Sequence, residues 1–232
     1  AVIQARGGWL KAKRFLRPFM KYSLKNKTIL ITAGPTREYI DPVRFLTNPS
    51  TGKMGYALAE AALKKGAKVI LVSGPTILKP PKKCFLVEVV SALEMYDVVL
   101  EHFDEVDIVI KTAAVADYHP QKIEAQKIKK QKKIWSLKLA PNPDILATLG
   151  KKKKKQFLIG FAAETNSPIQ YARKKLKSKN CDLVIMNRVG RHGVGFGSDY
   201  NQVSIISPKG KPYPLNRMSK KRLAGRILDY LV

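Results

Sequence analysis

Arg37, Asp41, Arg44, Asn48 and Lys53 stand close together in one polar stretch, and their types suit the recognition of a charged ligand. The stretch lies inside TILITAGPTREYIDPVRFLTNPSTGKMGYALAEAALKKG, Thr28 to Gly66. It follows a β-branched apolar run, Thr28 to Ala33, that reads as a buried strand. It precedes a helical pattern in which Met54, Ala57, Leu58, Ala61 and Ala62 share one face. Ser50 or Thr51 is expected to cap that helix, and Gly66 to end it. A strand feeding a helix through a glycine-bearing loop makes an anion site, because free backbone N–H groups and the helix dipole meet there. A dinucleotide fold would carry GxGxxG directly after the strand. Here Gly34 instead opens a polar excursion, Pro35 to Ser50, before Gly52 and Gly55. Loops this long without secondary structure of their own are uncommon and are usually functional or disordered. A plain surface loop accounts for Gly55, as close helix–sheet packing, but not for the excursion.

Further groups lie downstream. KTAAVADY, Lys111 to Tyr118, ends an apolar run; its small residues let a ligand approach the backbone. Asp117 offers a carboxylate to a cation or a base edge, although alone it reads better as a helix cap or turn residue. KIKK, Lys127 to Lys130, is a charge run of the kind that usually faces solvent. PNPDIL, Pro141 to Leu146, is a good turn and helix cap. Phe161 in GFAAET suits base stacking and core packing equally. Lys175 and Lys179 are i, i+4 and project from one helix face. His102, His119 and His192 lack metal-ligand spacing, and RHGVGFGSD is assigned no chemistry.

The segment ITAGPTREYIDPVRFLTNPSTGKMG resembles the start of the phosphopantothenoylcysteine synthetase domain of bacterial coenzyme A biosynthesis. KTAAVADY, KIKK, PNPDIL and GFAAET follow in that family's order, so the resemblance runs from about Lys27 to the C-terminus. It implies ligation of (R)-4'-phosphopantothenate to L-cysteine, driven by CTP with Mg²⁺ through an acyl-cytidylate. It implies CTP contacts at Lys111, Thr112, Ala113, Asp117, Pro143, Asp144, Ile145, Leu146, Phe161, Lys175 and Lys179, with Asp117 also on the metal. Ser50 and Gly52 join these at the helix start. Lys127 matches the first lysine of the family's KxKK motif, and Asn48 and Arg44 match positions of the second half-reaction. The family is dimeric, with the flap packed on or exchanged with the partner. In many bacteria the domain is fused behind a decarboxylase. CTP and ATP are not separated by any single residue.

The elements that must position these residues alternate regularly. Strands are expected at Lys68 to Ser73, Phe85 to Val90, Asp107 to Thr112, Phe157 to Thr165 and Cys181 to Asn187. A helix with a Ser91/Glu94 capping box runs to about Phe103, and another from Ile169 to Ser178. The pattern predicts an α/β fold, a doubly wound, mostly parallel Rossmann-like sheet. A lysine-rich flap or hairpin at about 119–156 interrupts it, with an alternating run from Ile134 to Leu139. Asn201 to Ser207 reads as an antiparallel edge strand, turned by Lys209-Gly210. Ser219 caps a final helix with Leu223, Ile227, Leu228 and Leu231 inward. Residues 1–26 read as a basic linker or the end of a preceding domain. ARGGWLKAKRF lacks the cysteine a decarboxylase clamp carries, so no decarboxylation is expected, and 27–232 forms the synthetase domain.

Composition sets the remaining bounds. The formal charge is +27 over 232 residues, which by itself suggests a polyanionic partner. The lysines are dispersed and no RNA-binding aromatic motif or helix-turn-helix pattern is found, so nucleic acid is not expected. A lysine-rich surface with a site for phosphorylated ligands is. No apolar run of about 18 residues is present, so no membrane helix is predicted. Cys84 and Cys181 suit free thiols in a reducing, cytoplasmic compartment. A nicotinamide-dependent reductase is disfavoured by the missing GxGxxG and the missing acidic residue after the second strand.

Overall fold

A computed structural model of the chain describes residues 23–130, 134–164, 168–188, 195 and 197–232. Its centre is an eight-stranded sheet. The strands are β1 (Thr28–Ala33), β4 (Lys68–Ser73), β5 (Phe85–Glu88), β6 (Ile108–Lys111), β9 (Phe157–Glu164), β10 (Leu183–Arg188), β11 (Tyr200–Ile206) and β12 (Tyr213–Ser219). They lie in the order β12-β11-β10-β9-β6-β1-β4-β5. From β10 to β5 every pairing is parallel; β11 and β12 run antiparallel. The predicted doubly wound sheet is therefore present.

Helices cover both faces. α1 (Lys53–Lys64) and α5 (Lys220–Asp229) pack on one side, while α2 (Ala92–Glu101), α3 (Ile145–Lys152) and α4 (Pro168–Ser178) pack on the other. Strand alternation sorts the core. Ile29 and Ile31 of β1 join Leu58, Leu223 and Leu228, whereas Leu30 joins Met95, Val99 and Leu149. This is the period-2 pattern of a strand buried on both faces. Leu223, Ile227, Leu228 and Leu231 are all fully buried, as the helical spacing required.

Several expectations need correction. The excursion after β1 is not structureless: β2 (Arg37–Tyr39) and β3 (Phe45–Thr47) pair as a hairpin within it. The flap is shorter than 119–156. Its stem is the pair β7 (Tyr118–Pro120) and β8 (Leu139–Pro141), and by Ile145 the chain has rejoined the core as α3. Ile134 to Lys138 form no strand; Ile134 is exposed to solvent, so its alternation has no face to bury. The sheet's outer edge is β12 rather than the Asn201 strand, which sits one place inward. β5 stops at Glu88, short of Val90. Residues 1–22 of the predicted linker, and most of the glycine-rich loop from Gly190 including His192, lie outside the described residues.

Candidate active site

The carboxyl ends of β1 and β6 lie side by side, beside the middle of β9. Thr32 pairs with Lys111, and Lys111 pairs with Gly160. In open α/β sheets ligands bind at such ends. The KTAAVADY segment leaves β6 here and is stitched to the start of the excursion. The buried Thr32 hydroxyl accepts from Ala113 N, the buried Thr36 hydroxyl accepts from Ala116 N, and Ala114 N donates to the Gly34 carbonyl. Asn48 Nδ2 donates to the Ala114 carbonyl at 3.1 Å, so the excursion and the segment form one wall.

That wall borders a cleft of about 380 Å³. Its floor is the N-terminus of α1. Neither Ser50 nor Thr51 caps this helix. Gly52 is the N-cap residue, at φ 78°, and no side chain bonds the first turn. Ser50 Oγ accepts only a long 3.4 Å bond from Gly52 N. A left-handed φ is costly for a residue with a Cβ, so Gly52 lets the chain enter the helix with its first N–H groups turned to the cleft. Gly55 has a different role: a Cβ there would lie 2.5 Å from Ala33 Cβ. Its absence seats α1 directly on the end of β1.

Lys111, Val115, Asp117 and Lys175 are shared between this cleft and a second one of about 480 Å³. The second cleft is lined by Pro143, Asp144, Ile145, Leu146 and Lys179. Asp144 caps α3 by accepting from Ala147 N, and its other oxygen pairs with Lys179 at 2.8 Å. Burial pushes the Asp144 carboxyl up, but the Lys179 bond and the cap bring it below the usual carboxylate value. Lys175 Nζ donates to the Phe161 carbonyl at 2.8 Å. Burial, and then the nearby Lys175 charge, push the Lys111 ammonium down to about 8. Asp144 and Asp117 oppose that shift.

Of the residues singled out from sequence, Asn48, Ser50, Gly52, Lys111, Thr112, Ala113, Asp117, Phe161 and Lys175 line the first cleft. Lys111, Asp117, Pro143, Asp144, Ile145, Leu146, Lys175 and Lys179 line the second. Arg44 and Lys127 line neither. The Arg44 guanidinium pairs with the buried Asp41 carboxylate and donates to the Ile128 carbonyl at 2.9 Å. Asp41 also accepts from Ile128 N at 3.1 Å. Arg44 thus anchors the flap to the excursion, next to the exposed Lys127, instead of facing a cleft. The Arg44 bond, ahead of the opposing effect of burial, holds the Asp41 carboxyl well below the usual range.

Sequence reasoning missed Asn187, Asn201 and Lys220, all buried and all lining the first cleft. It also passed over Asn142, whose side chain donates to Ala116 O and so ties PNPDIL to KTAAVADY. Lys220 left a readable signal. With Leu223, Ala224 and Ile227 it occupies i, i+3, i+4 and i+7 of a helix, a lysine on an apolar stripe.

Known proteins share this sequence pattern and fold. The DNA/pantothenate metabolism flavoprotein C-terminal domain family matches residues 24–232. The coenzyme A biosynthesis bifunctional protein CoaBC of Bacillus subtilis (strain 168) is 53% identical over 207 residues, covering 89% of this chain and 51% of that protein. The chain thus spans about half the length of such relatives. The crystal structure of the C-terminal domain of a CoaBC protein superposes with a TM-score of 0.76 at 47% identity, covering 89% of this chain and 95% of that one. A Cab2 mutant solved in complex with phosphopantothenate-cysteine has a TM-score of 0.69 at 19% identity, covering 88% of this chain and 86% of that one. That likeness is one of fold. With the family's profile running from Leu24 to the last residue, the chain belongs to the DNA/pantothenate metabolism flavoprotein C-terminal domain family.

Proposed function

We propose that the chain is a ligase that joins 4'-phosphopantothenate to L-cysteine at the expense of CTP, in coenzyme A biosynthesis. The observation that carries this is the joined pair of clefts, with Lys111, Asp117 and Lys175 on the shared wall. A triphosphate needs cations along its length, and an acid awaiting activation needs a place beside the α-phosphate. The Bacillus subtilis relative, named as a coenzyme A biosynthesis protein, supports the same reading.

In the first step a carboxylate oxygen of phosphopantothenate attacks the α-phosphorus. The bond from that phosphorus to the bridging oxygen breaks, and pyrophosphate leaves with the electron pair. In the second step the cysteine amine attacks the acyl carbon, loses a proton, and displaces CMP. Lys111 and Lys175 offset charge at the shared wall, where a low dielectric strengthens them. The second cleft takes the base, between the Pro143–Leu146 turn and Lys179. Asn48 holds the acyl-cytidylate through its half-buried amide. Lys127 reaches the nucleotide from the flap, and Arg44 acts through that flap by fixing Ile128 beside it.

The described residues hold no group of three or more metal-ligating side chains. Asp117 alone fits a Mg²⁺ that arrives on the triphosphate, because that ion is usually held by one or two carboxylates plus phosphate oxygens. There it would supply charge neutralisation. No described helix is long and apolar enough to cross a membrane. A homodimer, in which a partner's flap approaches the cleft, and fusion to a decarboxylase domain in the longer protein belong to the same proposal.

The test is product formation. The chain is incubated with CTP, Mg²⁺, phosphopantothenate and L-cysteine, and phosphopantothenoylcysteine is followed by mass. Product that requires every component supports the assignment, and its absence with any nucleotide rejects it. Replacing CTP by ATP, GTP or UTP settles base choice.

A further inference from the structure

We propose that Lys220 is the counter-charge for the pyrophosphate leaving group, an inference that rests on the ligase reading above. The site lies in the first cleft, and Lys220 does not line the second. Lys220 is only 7% exposed, yet it lines the cleft. Its Nζ donates to the Gly195 carbonyl at 3.0 Å, and among the described residues no carboxylate lies within 4 Å of it. The nearest acid that acts on it, Asp199, is taken by Lys53 at 2.6 Å. A buried ammonium without an anion is costly, so a fold that keeps one is supplied with its anion by a ligand.

Two independent features face the same space. The N–H groups of Lys53, Met54 and Gly55 open the uncapped first turn of α1, have no partner among the described residues, and line the cleft. Asn187 is 9% exposed, lines the cleft, and has an Oδ1 without a partner among the described residues, an acceptor that calls for a donor group of a ligand and not for the phosphate itself. Backbone donors, a helix dipole and a buried cation together select a phosphate group. Two sources offer one: the terminal phosphates of the nucleotide, and the 4'-phosphate of phosphopantothenate. The geometry points to the nucleotide. The second cleft is walled by Lys179 and the Pro143 turn, so a base seated there runs its phosphates past Lys111 and Lys175 and onward to Lys220. As the bond to the α-phosphorus breaks, the departing pyrophosphate gains negative charge, and Lys220 stabilises that gain at no cost in reorganisation.

The experiment compares the unmodified chain with Lys220→Met and Lys220→Arg, using inorganic pyrophosphate as the probe. In Lys220→Met the inhibition constant for pyrophosphate is expected to rise about tenfold or more, with a parallel rise in KM for CTP. KM for phosphopantothenate stays within about twofold, and Lys220→Arg retains most of the pyrophosphate affinity because it keeps the charge. A rise confined to the KM for phosphopantothenate would assign Lys220 to the 4'-phosphate and overturn the proposal. So would an unchanged inhibition constant in a folded Lys220→Met protein. A second measurement needs no variant: pyrophosphate should protect Lys220 of the unmodified chain from an amine-acylating reagent, read by peptide mass. Protection without turnover keeps this site while ending the ligase reading. Turnover without protection ends this inference alone.

Discussion

At the scale of the residue, charge placement decides the chemistry. Lys111 is cationic below about pH 8 and neutral above it, because burial lowers its affinity for a proton. Bound phosphate favours the charged form and raises that value. Nucleotide affinity should therefore weaken as pH rises through about 8, by at most about tenfold per pH unit, and Lys111→Met should lose this dependence. Titration calorimetry with CTP across that range checks it; an unaltered profile in the variant would remove Lys111 from the phosphate path. In the proposed reaction Asn48 holds the intermediate and not the leaving group. Asn48→Asp should still release pyrophosphate but accumulate the cytidylate, which quenched-flow chromatography detects. Full product formation by that variant would reject the role. The same residues show where sequence reading stops. Lys111, Asp117 and Lys175 stood out because KTAAVADY and the segment after GFAAET resemble the synthetase family's, not because their types alone mark a site. Asn187 and Asn201 did not, since a single asparagine at the end or start of a strand looks like any turn residue until the sheet places both in one cleft.

At the scale of the element, the site depends on how α1 and the flap are held. Gly55 seats α1 on β1, and any side chain there meets Ala33 Cβ at 2.5 Å. Gly55→Val should lift the helix start and cost about 1–3 kcal/mol of stability, as overpacking does, measured by urea denaturation, with weaker nucleotide binding. The flap is held by Asp41, which bonds Arg44 and the backbone of Ile128. Asp41→Ala should free the flap and speed tryptic cleavage at Lys127 to Lys130, while the thermal unfolding of the core remains cooperative. Because the Asp41 carboxyl is held below its ordinary value, the clamp is complete at neutral pH and is lost as pH falls through the acid range. An equal cleavage rate in the variant would show that the flap is held elsewhere. Element boundaries were legible where periodicity was long: β1 and β4 run as expected, and Ser91 and Ser219 cap their helices through Glu94 N and Arg222 N. β2 and β3 were not, since three residues carry no detectable period. β12 was hidden because Leu215 is its one buried side chain and Pro214 interrupts the pattern; an edge strand tolerates both.

At the scale of the whole molecule, the large positive charge and the site act together. On the proposed function, the +27 charge should raise the local concentration of phosphorylated substrates and make their capture depend on salt. The doubly wound topology was legible from alternating strands and helices, while the joining of two clefts through Lys111, Asp117 and Lys175 was not, because it depends on which strand ends are neighbours. The flap is tied to the excursion through Asp41. The proposed dimer predicts twice the chain mass by sedimentation equilibrium; a single-chain mass at concentrations that support turnover would contradict it. The central claim is that this joined cleft activates an acid with a nucleotide. Its most direct measurement is pyrophosphate release from CTP by the chain with Mg²⁺ and phosphopantothenate but without cysteine. The account predicts release that requires phosphopantothenate and stops near one equivalent per site, with the cytidylate retained. Release that ignores phosphopantothenate, or none from any nucleoside triphosphate, would contradict it.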